Sequence, residues 1–301
     1  MKPYALQLWR DRRGRMSALR ILTLAFLVTP VLIAFYDWLT VGFGARPLND
    51  VIHRTGYWAL VFLMATLAVT PLRRIARFGQ LADVRRMVGV SAFVYAAAHI
   101  SLYITDQQFN FLKVASEIAL RVYLTIGFIA LLGLTMLAAT STDGMVRRLG
   151  GLTWQRIHQA VYVVGLLALI HFFQQTKADA SVPTFIAGLF AWLMGYRLVV
   201  KLAKVKGELS AWALLALTVA VAALTFAGEA IGLAIVFKIS PLRILQTAFD
   251  FELDMIRPGW LVLGAGLCVV VLDLVRSWSR KPRQPERKSV VVPSARAQEM
   301  A

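Results

Sequence analysis

The chain is poor in the residues that build disulfide scaffolds, thiolate clusters and charged surfaces. Cys268 is the only cysteine among 301 residues, so no intrachain disulfide and no multi-thiolate metal site forms. Charged residues make up 16%, against roughly 25% in a soluble domain, and acids are scarce beside bases, 16 against 33. Apolar residues are plentiful instead: 58% of the chain is hydrophobic and the mean hydropathy is +0.65. They gather into runs of mostly about 18–25 residues, long enough to cross a hydrocarbon core. This excludes a soluble enzyme, a disordered chain and a secreted disulfide scaffold. The fold class expected is all-α, a polytopic membrane helical bundle.

Eight spans are legible, near 18–39, 57–72, 86–105, 118–139, 156–175, 183–203, 210–236 and 258–277. Most basic residues stand beside alternate turns: Arg10 to Arg20, Arg73 to Arg86, Arg147 to Arg156, Arg197 to Lys206, and the tail from Arg276. The other turns mix a few bases, such as Arg54 and Arg121, with acids such as Asp37, Asp106 and Glu117. This is the positive-inside distribution, which places both termini on the cytoplasmic side. The net charge of +17 therefore reports topology, and no nucleic-acid partner is expected. The N-terminal apolar run reads as a retained first span rather than a cleaved signal peptide.

A polar break near 205 divides a six-span unit, 1–205, from a two-span extension, 206–277. All four histidines precede it. The segment 278–301 reads as a disordered cytoplasmic tail, too short to fold around a flavin or nicotinamide nucleotide. No strong internal repeat is visible.

Histidine inside an apolar span needs a partner and is a functional candidate. His99 lies in the third span, and His158 and His171 lie in the fifth. Both spans run outward from the basic side, and thirteen residues of helix rise about 20 Å. His99 and His171 therefore share a depth, with His158 well below them. Zinc would need three or four converging ligands. Two imidazoles at one depth on separate helices instead suit the axial positions of a haem iron, with Ala96, Ala97 and Ala98 leaving room for a flat macrocycle. The alternative is that each histidine simply joins helices by hydrogen bonds.

Arg85 lies four turns below His99 on nearly the same face and suits pairing with a haem propionate; the alternative is a topology charge. The step from His158 to His171 turns about 220° on an ideal helix, so the two address different sides unless the helix is distorted. His53, the Tyr36–Asp37–Trp38 group, and Gly264 with Gly266 read as interfacial or packing residues. Glu229, a carboxylate within the seventh span, reads as a proton relay or a bond to another helix.

Several motifs carry a family resemblance over roughly residues 15–205. Thr55-Gly56-Tyr57-Trp58-Ala59-Leu60, Thr70-Pro71-Leu72-Arg73-Arg74, Arg85-Arg86-Met87-Val88-Gly89 with Tyr95 and His99, and Trp154, Arg156, His158, Tyr162 and His171 resemble the MsrQ (YedZ) family. That family lies within the ferric-reductase-like transmembrane group. The resemblance implies a bacterial inner-membrane subunit binding one or two b-type haems and FMN. His99 and His171 would ligate an outer haem, with His158 and Arg85 serving an inner cofactor. Arg85 stands where oxidase relatives carry a fourth histidine. Electrons would come from the quinone pool or a cytoplasmic flavin reductase. They would pass to a periplasmic molybdenum-containing MsrP-like subunit that reduces methionine sulfoxide. A ferric or other metal reductase subunit is the alternative within redox chemistry, and a non-redox transporter or structural membrane protein the alternative outside it.

Overall fold

The computed structural model describes residues 8–10, 14–44, 46–176, 179–204, 209–250 and 256–278. Among them are twelve α-helices, one 3₁₀ turn (Thr247–Phe249) and no strand. The helices are α1 (Ala18–Thr40), α2 (Pro47–Ile75), α3 (Leu81–Asp106), α4 (Phe111–Leu120), α5 (Val122–Ala139) and α6 (Asp143–Leu149). They continue with α7 (Gly151–His158), α8 (Val161–Gln175), α9 (Ser181–Leu202), α10 (Ala211–Phe237), α11 (Pro241–Gln246) and α12 (Pro258–Trp278). Among the described residues eight segments are long and apolar enough to cross a membrane, with α7 and α8 together forming the fifth.

Capping chemistry sets many of the boundaries. The hydroxyls of Ser17 and Ser210 accept from the backbone N–H groups of Arg20 and Ala213 at the starts of α1 and α10. Proline occupies the first turn of α2 and α11, where its missing N–H costs nothing. That proline, followed by Asp50, starts α2 at residue 47 rather than near 57, ahead of the apolar run. His53 consequently lies within the helix, not in a turn before it. The span read at 118–139 also changes. Arg121 is extended, at φ −106° and ψ 108°, so 118–120 end the amphipathic α4 and the span is α5 alone.

α2 forms the centre of the bundle, with Phe62, Leu63 and Leu67 almost wholly buried. It packs closely on α3, while α5 packs on α8. Pro71 lies inside α2 and cannot donate to the Leu67 carbonyl one turn earlier. Arg197 of α9 supplies the missing donor, with Nη2 2.6 Å from that oxygen and the guanidinium 5.4 Å from the Tyr162 ring centre.

The last two spans, α10 and α12, pack on each other and on α9. A Cβ on Gly266 would stand 2.3 Å from Thr218, and one on Gly188 would stand 2.5 Å from Val262. Those glycines bring the helices together, whereas Gly264 faces open space. Glu229 is held by Arg257 at 3.2 Å, and Arg257 also donates to Thr247 at 2.8 Å. The break at 205–208 and the tail from residue 279 lie outside the described residues.

Candidate functional site

His99 on α3 and His171 on α8 meet across one cavity. Their ring centres are 6.4 Å apart and the ring planes stand at 81°. The cavity, about 660 Å³, is walled by apolar side chains including Leu60, Ala96, Leu131, Ala168 and Phe172. The shared depth expected from helical rise is thus what the fold delivers.

Both rings are anchored in the same way. Nδ1 of His99 lies 2.7 Å from the Ile52 carbonyl oxygen, and Nδ1 of His171 lies 2.8 Å from that of Tyr123. A carbonyl can only accept, so Nδ1 carries the proton in each. Nε2 of each neutral ring keeps its lone pair, the arrangement that orients a metal-ligating histidine.

Glycine makes these approaches possible. Four residues after Ile52 comes Gly56, and four residues after Tyr123 comes Gly127. A Cβ on Gly56 would stand 3.0 Å from His99 Nδ1, and one on Gly127 would stand 2.7 Å from His171 Nδ1. A carbonyl followed four residues later by glycine thus recurs on α2 and α5, each time seating a histidine from the next long helix packed against it. Neither the two carbonyls nor Gly127 was marked by the sequence reading. The available signal was a glycine within an apolar helix, which marks a close approach.

His158 does not join the pair. It lines a second cavity, about 1440 Å³, whose wall also includes Arg85, Arg86, Ser141, Arg147 and Trp154. Its Nδ1 donates to the Trp154 carbonyl at 3.1 Å, and its Nε2 lies 3.3 Å from the Ser141 hydroxyl. The Trp154 indole stacks on the ring at 3.8 Å between centres. Gln159 and Ala160 interrupt the helix between α7 and α8, and His158 and His171 line different cavities, one of the two outcomes that the 220° step allows. Arg86 is paired with Asp143 at 2.5 Å. Arg85 is half-buried and makes no hydrogen bond or ion pair among the described residues. The His99–His171 pair and the Arg85–His158 group therefore occupy separate cavities.

His53 is exposed on α2 at the rim of the histidine-pair cavity, beside Arg54. Arg54 pairs with Asp37 at the end of α1, which ties the first two spans together. Asp179, also at this rim, accepts from the Ser181 backbone N–H at 2.8 Å. The Ser181 hydroxyl and that N–H hold its carboxyl below the ordinary value. Among the described residues no group of three or more His, Cys, Asp or Glu side chains forms a metal cluster.

The ferric reductase like transmembrane component matches residues 55–169, a stretch that includes Gly56, Arg85, His99, Gly127 and His158. The protein-methionine-sulfoxide reductase heme-binding subunit MsrQ of Xanthomonas oryzae pv. oryzae is 45% identical over 155 residues, 51% of this chain and 71% of the relative. The chain belongs to the MsrQ family. The MsrQ subunit of Xanthomonas euvesicatoria pv. vesicatoria is 44% identical over 160 residues, 53% of this chain and 73% of that one. The MsrQ subunit of Rhodospirillum rubrum is 39% identical over 193 residues, 63% of this chain and 89% of that one. No solved structure matches the chain.

Proposed function

We propose that this chain is the haem-binding membrane subunit that carries electrons across the bilayer to a methionine sulfoxide reductase. The supporting observation is the histidine pair: two rings fixed through Nδ1, with Nε2 free and ring centres 6.4 Å apart. That spacing accommodates one metal ion at ordinary metal–imidazole distances of about 2 Å from each ring. A bis-histidine haem supplies a one-electron carrier whose potential is tuned by ligands, hydrogen bonds and burial.

The chain's own residues set that environment. His99 and His171 would hold the iron, while the Ile52 and Tyr123 carbonyls fix ring orientation and raise the basicity of Nε2. The apolar part of the cavity wall lowers the polarity around the two rings. In the second cavity, Arg85 would pair with an anionic group, a haem propionate or an FMN phosphate, and His158 would ligate or flank that inner cofactor. One haem or two, of the b type, together with FMN, are the cofactors proposed for the two cavities.

The surrounding assignments rest on charge distribution and family likeness. Residues 1–205 form the haem-binding core, 206–277 a two-span extension and 278–301 a cytoplasmic tail. The chain sits in a bacterial inner membrane with both termini in the cytoplasm. Electrons arrive from the quinone pool or a cytoplasmic flavin reductase and leave to a periplasmic molybdenum-containing MsrP-like subunit. The test is a dithionite-reduced minus oxidised absorption spectrum of the purified chain, with pyridine haemochrome quantification. Sharp b-type bands that are lost in His99→Ala and His171→Ala support the proposal. A folded chain without haem after haem-replete expression overturns it.

A further inference from the structure

Leu63 on α2 and Leu134 on α5 line both cavities. They are buried, at 2% and 7% exposure. Leu63 stands seven residues after Gly56, and Leu134 stands seven residues after Gly127. Seven residues are nearly two helical turns, so each leucine shares the face of its glycine about 10 Å further along the helix. The recurring carbonyl–glycine pattern that seats the histidines thus extends to a leucine on each helix. The two leucines are common to the two linings and so stand where the cavities adjoin.

Beyond this junction each cavity has a polar, exposed rim. His53, Arg54 and Asp106 edge the histidine-pair cavity, and Arg86, Asp143 and Arg147 edge the other. Water can approach from both ends. At the junction the leucines offer no polar atom, and apolar constrictions exclude water. Thr66 lines the arginine side, but its hydroxyl is committed to the Phe62 carbonyl at 2.8 Å.

We infer that Leu63 and Leu134 form a dry septum that separates the two cavities and blocks protons, leaving a thin apolar gap for electron passage. The electron-passage half rests on the proposed function; the proton barrier rests on the two cavities and the residues between them. A membrane that stores a proton gradient would otherwise lose it through a continuous polar path.

The test uses the full chain as purified, reconstituted in liposomes enclosing a pH-sensitive dye, with valinomycin and potassium to cancel the membrane potential. Wild type holds an imposed pH gradient as well as protein-free liposomes. Leu63→Ser/Leu134→Ser dissipates it about tenfold faster once the constriction is polar and wet. Leu132→Ser, at an exposed position of α5 that lines neither cavity, holds the gradient as wild type does. Should the double variant not fold, Leu63→Ala and Leu134→Ala each give a smaller, graded leak. A folded double variant, or folded single variants, holding the gradient like wild type would overturn the inference, as would a leaking wild type. Haem absorbance measured on the same samples reports separately on the proposed function.

Discussion

A Cβ on Gly127 would stand 2.7 Å from Nδ1 of His171, closer than side-chain carbons approach a ring nitrogen. The ring reaches the Tyr123 carbonyl because residue 127 has no side chain. Gly56 gives His99 the same access to Ile52, where a Cβ would stand 3.0 Å from Nδ1. Gly127→Ala therefore displaces His171 and weakens haem affinity about tenfold, the equivalent of a ~1.4 kcal/mol loss in binding. Gly56→Ala has the same direction and a smaller effect. Alanine also favours helix over glycine by roughly 0.5–1 kcal/mol, so the haem-free variant melts no lower than wild type stripped of haem, the loss of bound ligand being common to both. Haem-to-protein ratio and thermal unfolding, measured together, separate this from a general folding defect.

Arg197 and Pro71 are coupled through one carbonyl. Arg197→Gln removes the donor to Leu67 and leaves a partly buried oxygen unsatisfied, a cost of about 1–3 kcal/mol. Pro71→Ala restores an N–H at the helical position, so the second substitution then costs less. A double-mutant cycle by thermal unfolding in detergent is expected to give a coupling of about 1 kcal/mol. Strict additivity would show that the guanidinium is not serving that carbonyl.

Glu229 and Arg257 join α10 to the start of α12. The Glu229 side chain is only 6% exposed and that of Arg257 25%. Arg257→Ala leaves a buried carboxylate without its cation and destabilises by about 3 kcal/mol. Glu229→Leu/Arg257→Leu recovers most of that loss, because it removes both charges. Thermal melts of the two variants check the order.

Asp179 gives the fold a small acid-sensitive element. Its carboxyl is held below the ordinary value of 3.8 by the Ser181 hydroxyl and backbone N–H. A depressed folded pKa contributes stability above the unfolded value and loses it as pH falls through the folded one. The group is exposed, so after solvent screening the contribution is under about 1 kcal/mol. Asp179→Asn is slightly less stable than wild type near neutrality, and the difference vanishes as pH falls below ~4. Melting curves across that range show whether the two proteins converge.

Depth was legible in the sequence and rotation was not. Helical rise is fixed, so His99 and His171 could be placed at one level from their span positions alone. Whether two side chains face each other depends on the phase of each helix, and the break at Gln159–Ala160 resets that phase between His158 and His171. The anchors of the ring nitrogens are backbone carbonyls of Ile52 and Tyr123, and a carbonyl carries no residue identity to read. Hydropathy likewise merged the end of α4 with α5, because an amphipathic helix beside a span has similar composition over a short window. The eight spans, by contrast, follow from composition and length.

Electron paramagnetic resonance of the oxidised, purified chain tests the histidine pair most directly. Two imidazole ligands predict a low-spin ferric haem signal in wild type. That signal is expected to disappear in both His99→Ala and His171→Ala, while His158→Ala retains it. A low-spin signal surviving in both of the first two variants, or a high-spin haem alone in wild type, would contradict ligation by His99 and His171.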